Sequence, residues 1–323
     1  MPKSIFSAPH FTDETAAYAF VEAHLWPDGA VCPHCGVIGR AGRLQGKSNR
    51  PGLWKCYACR KPFSVKVGTI FEASHIQMRD WLCAIHLICS SKKGISANQL
   101  HRTLGITLKS AWFMAHRIRE AFKPAGRPEP TMGGDGGYVE VDETYFGQVE
   151  GRPRSGGGTK HTVLALVERG GRMRSLYMPM LRRQDAREVV QRNVSPKAHL
   201  RTDEAVIYFG IEKWVASHET VNHSQKEYVR GDASTNTIEG AFGLFKRGMV
   251  GTYQRCEVQH LQRYLNEFDF RYSNRKALGI GDEGRAAKAL KGAVGKRLTY
   301  RRTDLRKRGN VIHLRQRGTQ PLT

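Results

Sequence analysis

Four cysteines stand at the spacing that a metal ion requires. Cys32-Pro33-His34-Cys35 and Cys56-Tyr57-Ala58-Cys59 are two CxxC pairs separated by 20 residues. Thiolates three positions apart on a tight turn reach one ion together, and two such turns complete the four-sulfur tetrahedron of a structural zinc site. A redox dithiol would instead come as one pair beside a βαβ unit. With no open coordination position, the zinc would hold the fold and take no part in chemistry. Lys55, Tyr57, Arg60, Lys61 and Phe63 present basic and aromatic groups around the knuckle, read either as ribbon surface or as DNA contacts. Cys83, Cys89 and Cys256 lack metal spacing and read as buried free thiols.

A second set of residues is acidic. Tyr138 to Gly147 reads as a strand, with Val139 and Val141 on one face and Glu140 and Asp142 on the other. A second apolar-to-acid transition, Ala198 to Glu204, puts Asp203 at the end of another strand. In the segment Thr235 to Gly248, helical spacing gathers Asn236, Glu239, Gly243 and Lys246 on one stripe, opposite Ile238, Ala241, Leu244 and Phe245. Any one of these acids alone would read as a surface carboxylate. A strand Asp, a strand-end Asp and a helical Glu together are a set that can converge on divalent cations and hold a phosphodiester for in-line displacement.

The elements that position these groups follow from composition. Residues 1–72 hold a short helical lead and the cysteine-rich ribbon, and residues 73–123 read as helices. Residues 124–137 have the Pro/Gly composition of a linker, 138–290 alternate strand-like and helical segments of an α/β domain, and 291–323 form a basic tail. Within 73–123, Ser96 caps a helix that ends at Gly105, and a second helix starts near Leu108. Ala111, Met114, Ala115, Ile118 and Phe122 form its inward stripe, while Lys109, Phe113 and His116, with Arg117 beside them, are the candidate DNA-binding residues. A short helix, a glycine turn and a second helix with basic residues match a helix-turn-helix.

Charge points to the partner. The chain carries 52 Lys and Arg against 29 Asp and Glu, a formal net charge of +23, which favours a polyanion such as double-stranded DNA. A membrane is disfavoured, because the most apolar stretch, Trp81 to Cys89, is interrupted by His86 and falls far short of the ~20 residues of a spanning helix. The N-terminus has early acids and no apolar centre of a signal peptide, so the expected location is cytoplasmic.

The stretches CPHCG, CYACRKPFSVKVGTIFE, VEVDETYFG, the RTDE around Asp203, NHSQKEYV, NTIEGAFGLFKRG and YLNEFDFRYSNR jointly resemble bacterial insertion-sequence transposases of the ISXO-like group. The likeness covers most of residues 14–300. It implies a multi-domain protein: zinc ribbon and helix-turn-helix, then a DDE catalytic domain of RNase H-like fold. It implies Asp142 and Asp203 as the first two catalytic acids and Mg or Mn ligands. Glu239 is the favoured third, with its neighbour Asn236 as the alternative. Lys246, seven positions beyond Glu239, falls where such enzymes place a DNA-contacting lysine. Tyr145 and His223 are further candidates for positioning DNA or protons. The implied activity is cleavage and strand transfer at the element's ends by a homo-oligomer working at the nucleoid. Two rivals are a zinc-ribbon DNA-binding regulator without catalysis and a nuclease that hydrolyses without joining.

Overall fold

The computed structural model describes residues 4–46, 48–124, 129–147, 160–221, 229–230 and 233–299 of the 323-residue chain. The N-terminal lead forms α1 (Pro9–Thr12) and α2 (Glu14–Leu25), the latter started by Asp13, whose side chain accepts the N–H of Ala16 at 2.7 Å. The ribbon follows as β1 (Ala41–Arg43), β2 (Trp54–Cys56) and β3 (Pro62–Phe63), an antiparallel sheet in that order.

Three helices come next: α3 (Met78–Ser90), α4 (Ala97–Leu104) and α5 (Leu108–Ala121). Ser96 caps α4 through the N–H of Gln99, and Thr107 caps α5 through that of Ser110. Between them Gly105 adopts φ +65°, the left-handed conformation that ends a helix at least cost without a Cβ. The inward stripe Ala111, Met114, Ala115, Ile118 and Phe122 is buried as its spacing predicts.

The larger domain is a five-stranded sheet of β4 (Tyr138–Phe146), β5 (His161–Glu168), β6 (Met173–Met178), β7 (His199–Asp203) and β8 (Ser217–Val221). Its order is β6-β5-β4-β7-β8. The β4–β5 and β5–β6 pairs are antiparallel; β4–β7 and β7–β8 are parallel. The helix α6 (Arg183–Asn193) covers one face, where Ala186 and Val190 meet Val139, Val141, Leu164, Leu166 and Leu200. On the other face lie α7 (Asn236–Gly248) and α8 (Val258–Ser273), whose Phe245, Ile238 and Phe268 pack against Val163, Ala165 and Val167. Period-two alternation along β5 therefore serves both layers. The same alternation turns Val139 and Val141 towards α6, as the sequence reading has it.

Two expectations change. The Pro/Gly stretch reads as a linker, but its described part docks on the sheet. Met132 is buried and donates its N–H to Asn193 at 2.7 Å, and Gly133 lies where a Cβ would stand 2.4 Å from that of Ala198. The stretch read as one α/β domain, 138–290, also does not all pack on the sheet. The helix α9 (Asp282–Lys291) returns to the N-terminal helices, and Ala289, Leu290 and Ala293 complete the core built by Trp81, Ile85, Leu100 and Ile118. A buried ion pair, Arg119 Nε to Glu267 Oε2 at 2.6 Å, joins α5 to α8, and Arg271 and the Tyr253 hydroxyl share the same carboxylate.

Candidate active site and zinc ribbon

β4 and β7 run parallel, with Val139 beside Leu200 and Glu140 beside Arg201. Asp142 and Asp203 each follow that last pair by two residues, so the register brings the acids abreast just beyond the β4–β7 pairing, at the end of β7. Glu143 joins them, and the carboxylate oxygens of Asp142, Glu143 and Asp203 lie within 4.8 Å of one another. These hard oxygen donors suit Mg or Mn. The cluster carries a visible electrostatic cost. Burial, then the charges of Asp203, Glu143 and Glu239, push the Asp142 carboxyl up to about 7. Local donors offset part of this: the N–H of Glu143 reaches Asp142 Oδ1 at 2.7 Å, and that of Ala205 reaches Asp203 Oδ1 at 3.1 Å.

Glu143 is the residue that the sequence reading missed. Alternation sends it to the face opposite Asp142, where the buried Tyr208 hydroxyl donates to its Oε2 at 2.6 Å. The pairing of β4 with β7 stops at Glu140 and β7 itself at Asp203, so beyond that point side chains from both faces of β4 can serve one site. Burial, followed by the same carboxylates, raises the pKa of the Tyr145 hydroxyl, which puts this half-exposed ring at the cluster's edge.

Glu239 projects from the first turn of α7, where its Oε1 accepts the Thr235 hydroxyl at 3.3 Å. Its charge reaches Asp142, although its carboxylate is not one of the three closely grouped. Asn236 and Lys246 are exposed on the same helix. His223 lies outside the described residues.

The ribbon brings its four cysteines together. All four sulfurs lie within 4.8 Å of one another, with Cys32 to Cys59 at 3.6 Å and Cys35 to Cys56 at 3.7 Å. A tetrahedron with Zn–S bonds of about 2.3 Å has edges of about 3.8 Å, so the donor set fits zinc. The N–H groups of Cys59 and Ala58 point at the Cys56 sulfur and draw its thiol down to about 7, favouring the thiolate that a metal needs. Lys55, Tyr57, Arg60 and Lys61 are exposed around this unit. Phe63 is not: at 1% exposure it packs on Trp26 as the ribbon's core.

Two of the four candidate DNA contacts on α5 are also corrected. Lys109 is exposed and Phe113 half-buried, but His116 is 1% and Arg117 4% exposed. His116 sits among Trp112, His260 and Tyr264, and its burial forces the imidazole pKa down to about 2. Arg117 donates to the carbonyl of Glu72 and lies over the Trp81 ring at 5.4 Å. α8 packs across the His116 side of the helix, while Glu72 and Trp81 cover Arg117.

A carboxylate cluster on adjacent parallel strands, in a chain that also carries a cysteine ribbon and a helical unit, suits a DNA transposase, and comparison with known proteins agrees. Residues 135–273 match the ISXO2-like transposase domain, and residues 12–62 match the transposase zinc-ribbon domain. The chain thus carries an ISXO2-like transposase domain behind a transposase zinc ribbon. It is also similar to an uncharacterized protein in transposable element ISH50 of Halobacterium salinarum. The two are 25% identical over 281 residues, covering 81% of this chain and 91% of that one.

Proposed function

We propose that this protein binds the ends of its insertion sequence and carries out metal-dependent strand cleavage and strand transfer. The observation that carries the reading is the Asp142–Glu143–Asp203 cluster on adjacent parallel strands. The sheet order, with its single antiparallel partner beside β4 and two parallel strands beyond, supports an RNase H-like assignment for the domain. Asp142, Asp203 and Glu239 are the metal-holding catalytic acids, with Glu143, fixed by Tyr208, beside them; Asn236 is the alternative third ligand. Bound Mg or Mn supplies Lewis-acid polarisation of the phosphodiester and charge neutralisation at the attacking and leaving oxygens. The chain's own groups hold and orient: Tyr145 and Lys246 flank the acids as DNA-positioning residues, and His223 is retained as a candidate. In the first reaction, water oxygen bonds to phosphorus, the P–O3′ bond breaks, and a 3′ hydroxyl is left on the element's end while the water proton passes to solvent. That hydroxyl then attacks a target phosphodiester, releasing another 3′ hydroxyl.

We read α4 and α5 as a helix-turn-helix with Lys109 and Phe113 towards DNA, and the zinc ribbon as a second DNA-contacting unit. Two ends must meet, so a homo-oligomer on DNA is the working form, at the nucleoid in the cytoplasm. The test is a duplex carrying the element's ends, labelled at each terminus and incubated with Mg and target DNA. We expect nicked and joined products, lost by about a thousand-fold or more in Asp142→Asn, Asp203→Asn and Glu239→Gln, while end binding persists. Hydrolysis without joining would favour the nuclease; binding without cleavage would favour the regulator. Normal cleavage by Glu239→Gln together with a dead Asn236→Ala would transfer the third position to the amide.

A further inference from the structure

Two residues before Asp142, on the same face of β4, stands a second acid that is not part of the carboxylate cluster. Glu140 is 0% exposed, and each of its oxygens is committed. Oε1 accepts from Arg169 Nε at 2.8 Å, and Oε2 accepts the backbone N–H of Ile238 at 2.9 Å. A buried carboxylate is tolerated only with such partners. One is a guanidinium; the other is the first turn of α7. That turn has no side-chain cap, because Thr235 at the N-cap position makes no capping hydrogen bond. A helix start leaves N–H groups without intrahelical acceptors, and an anion there also meets the positive end of the helix dipole. Glu140 supplies both from a neighbouring strand. Its own position is fixed from either side by pairing with Val167 on β5 and Arg201 on β7. Ile238, the residue it grips, immediately precedes Glu239.

We propose that Glu140 is a positioning residue that sets the start of α7, and with it the Glu239 carboxylate, relative to Asp142. The inference rests on the reading of Glu239 as a metal ligand. Its logic is one of geometry: a rigid strand carries one metal ligand directly and orients the other through a single carboxylate. Glutamine does not replace it: the two donors meet different carboxylate oxygens, so with an amide one of them would face the NH2 group, itself a donor.

The test uses the full-length chain and Mn2+ alone, with affinity read by calorimetry. Glu140→Gln should weaken Mn2+ binding by about ten- to a hundred-fold, the usual range for groups that orient ligands. It should also speed amide hydrogen exchange in the first turn of α7 while leaving that of α3 and DNA-end binding unchanged. Glu239→Gln should weaken Mn2+ on its own, and adding Glu140→Gln to it should cost little more, since the two act through one group. Fully additive losses, or an unchanged Mn2+ affinity in Glu140→Gln beside a weakened Glu239→Gln, would overturn the positioning role alone. An unaltered affinity in Glu239→Gln would remove the third ligand and the positioning role with it. Should Glu140→Gln fail to fold, Glu140→Asp keeps the charge on a side chain one methylene too short to span both partners. A loss of Mn2+ affinity is expected there too, and unchanged affinity would overturn the proposal.

Discussion

Cys32, Cys35, Cys56 and Cys59 come from 28 consecutive residues and meet within one small sheet, whereas Asp142 and Asp203 meet only because β4 and β7 pair across some 60 residues of chain. In the ribbon the ligands are soft, four in number and enclosed by one turn each, and the core around them is only a few residues such as Phe63 and Trp26. So small a unit depends on its ion. In the sheet the ligands are hard and mutually repelling, and a two-sided hydrophobic core holds them in place whether or not a cation is near. The first region is expected to need its ion in order to fold, and the second to hold its shape without one.

The largest expected effect breaks the ribbon side of this contrast. Structural zinc in such peptides is worth about 10–16 kcal/mol of apparent binding energy near neutral pH. Cys56→Ser should therefore abolish zinc in elemental analysis and open residues 30–63 to protease, while the β4–β8 sheet keeps its resistance. Zinc retained at one equivalent in the variant would sink the assignment.

The acidic side should respond in the opposite sense. The Asp142 carboxyl is raised to about 7, so below its unfolded value near 4 the group is protonated in both states and costs nothing. Stability is then lost as pH climbs towards 7 and the folded state must hold a charge it resists. Asp142→Asn should raise the melting temperature of the metal-free protein by about 3 °C at pH 8, with little gain at pH 4. It should also abolish the stabilisation that Mg or Mn gives the wild type. A lower melting temperature at pH 8 would mean that repulsion is not what dominates the cluster.

The smallest effect sharpens the comparison, because it concerns a buried acid outside either metal site. Asp269 on α8 accepts the N–H and hydroxyl of Ser175 at 2.7 and 2.6 Å, and burial still pushes its carboxyl up to about 7. With the folded value raised, the sign is as for Asp142: stability falls by up to about 1 kcal/mol per pH unit between roughly 4 and 7. Asp269→Asn should flatten that part of the denaturant-midpoint profile while leaving Mn2+ affinity unaltered. A profile as steep as the wild type's would assign the slope to other groups.

What the sequence discloses follows the same division. The zinc ligands are legible because their spacing is itself the geometry. Asp142, Asp203 and the inward stripe of α5 are legible because period two and period 3.6 dictate faces. Glu143 is not, since its alternation points it away from Asp142 and only the end of the β4–β7 pairing lets it join. His116 and Arg117 deceive for a related reason: one hydrophobic stripe is visible along α5, but His116 is covered only because α8, about 140 residues later, lies across the helix, and Arg117 only because Glu72 and Trp81 close over it from the other side. The described part of the Pro/Gly stretch misleads through composition, since Gly133 serves close packing against Ala198.

The return of α9 to the N-terminal helices bears on how the protein is made. At about 5–20 residues per second, a ribosome needs roughly 10–30 s after finishing α5 to produce the residues of α9 that complete their core. During that interval the helical unit exposes the apolar surface that Ala289, Leu290 and Ala293 will cover. A nascent chain, or a fragment stopped at residue 123, therefore lacks the finished helical unit. Any face that the finished helical unit presents, the proposed DNA-binding one included, therefore appears only after the residues of the β4–β8 sheet have been made.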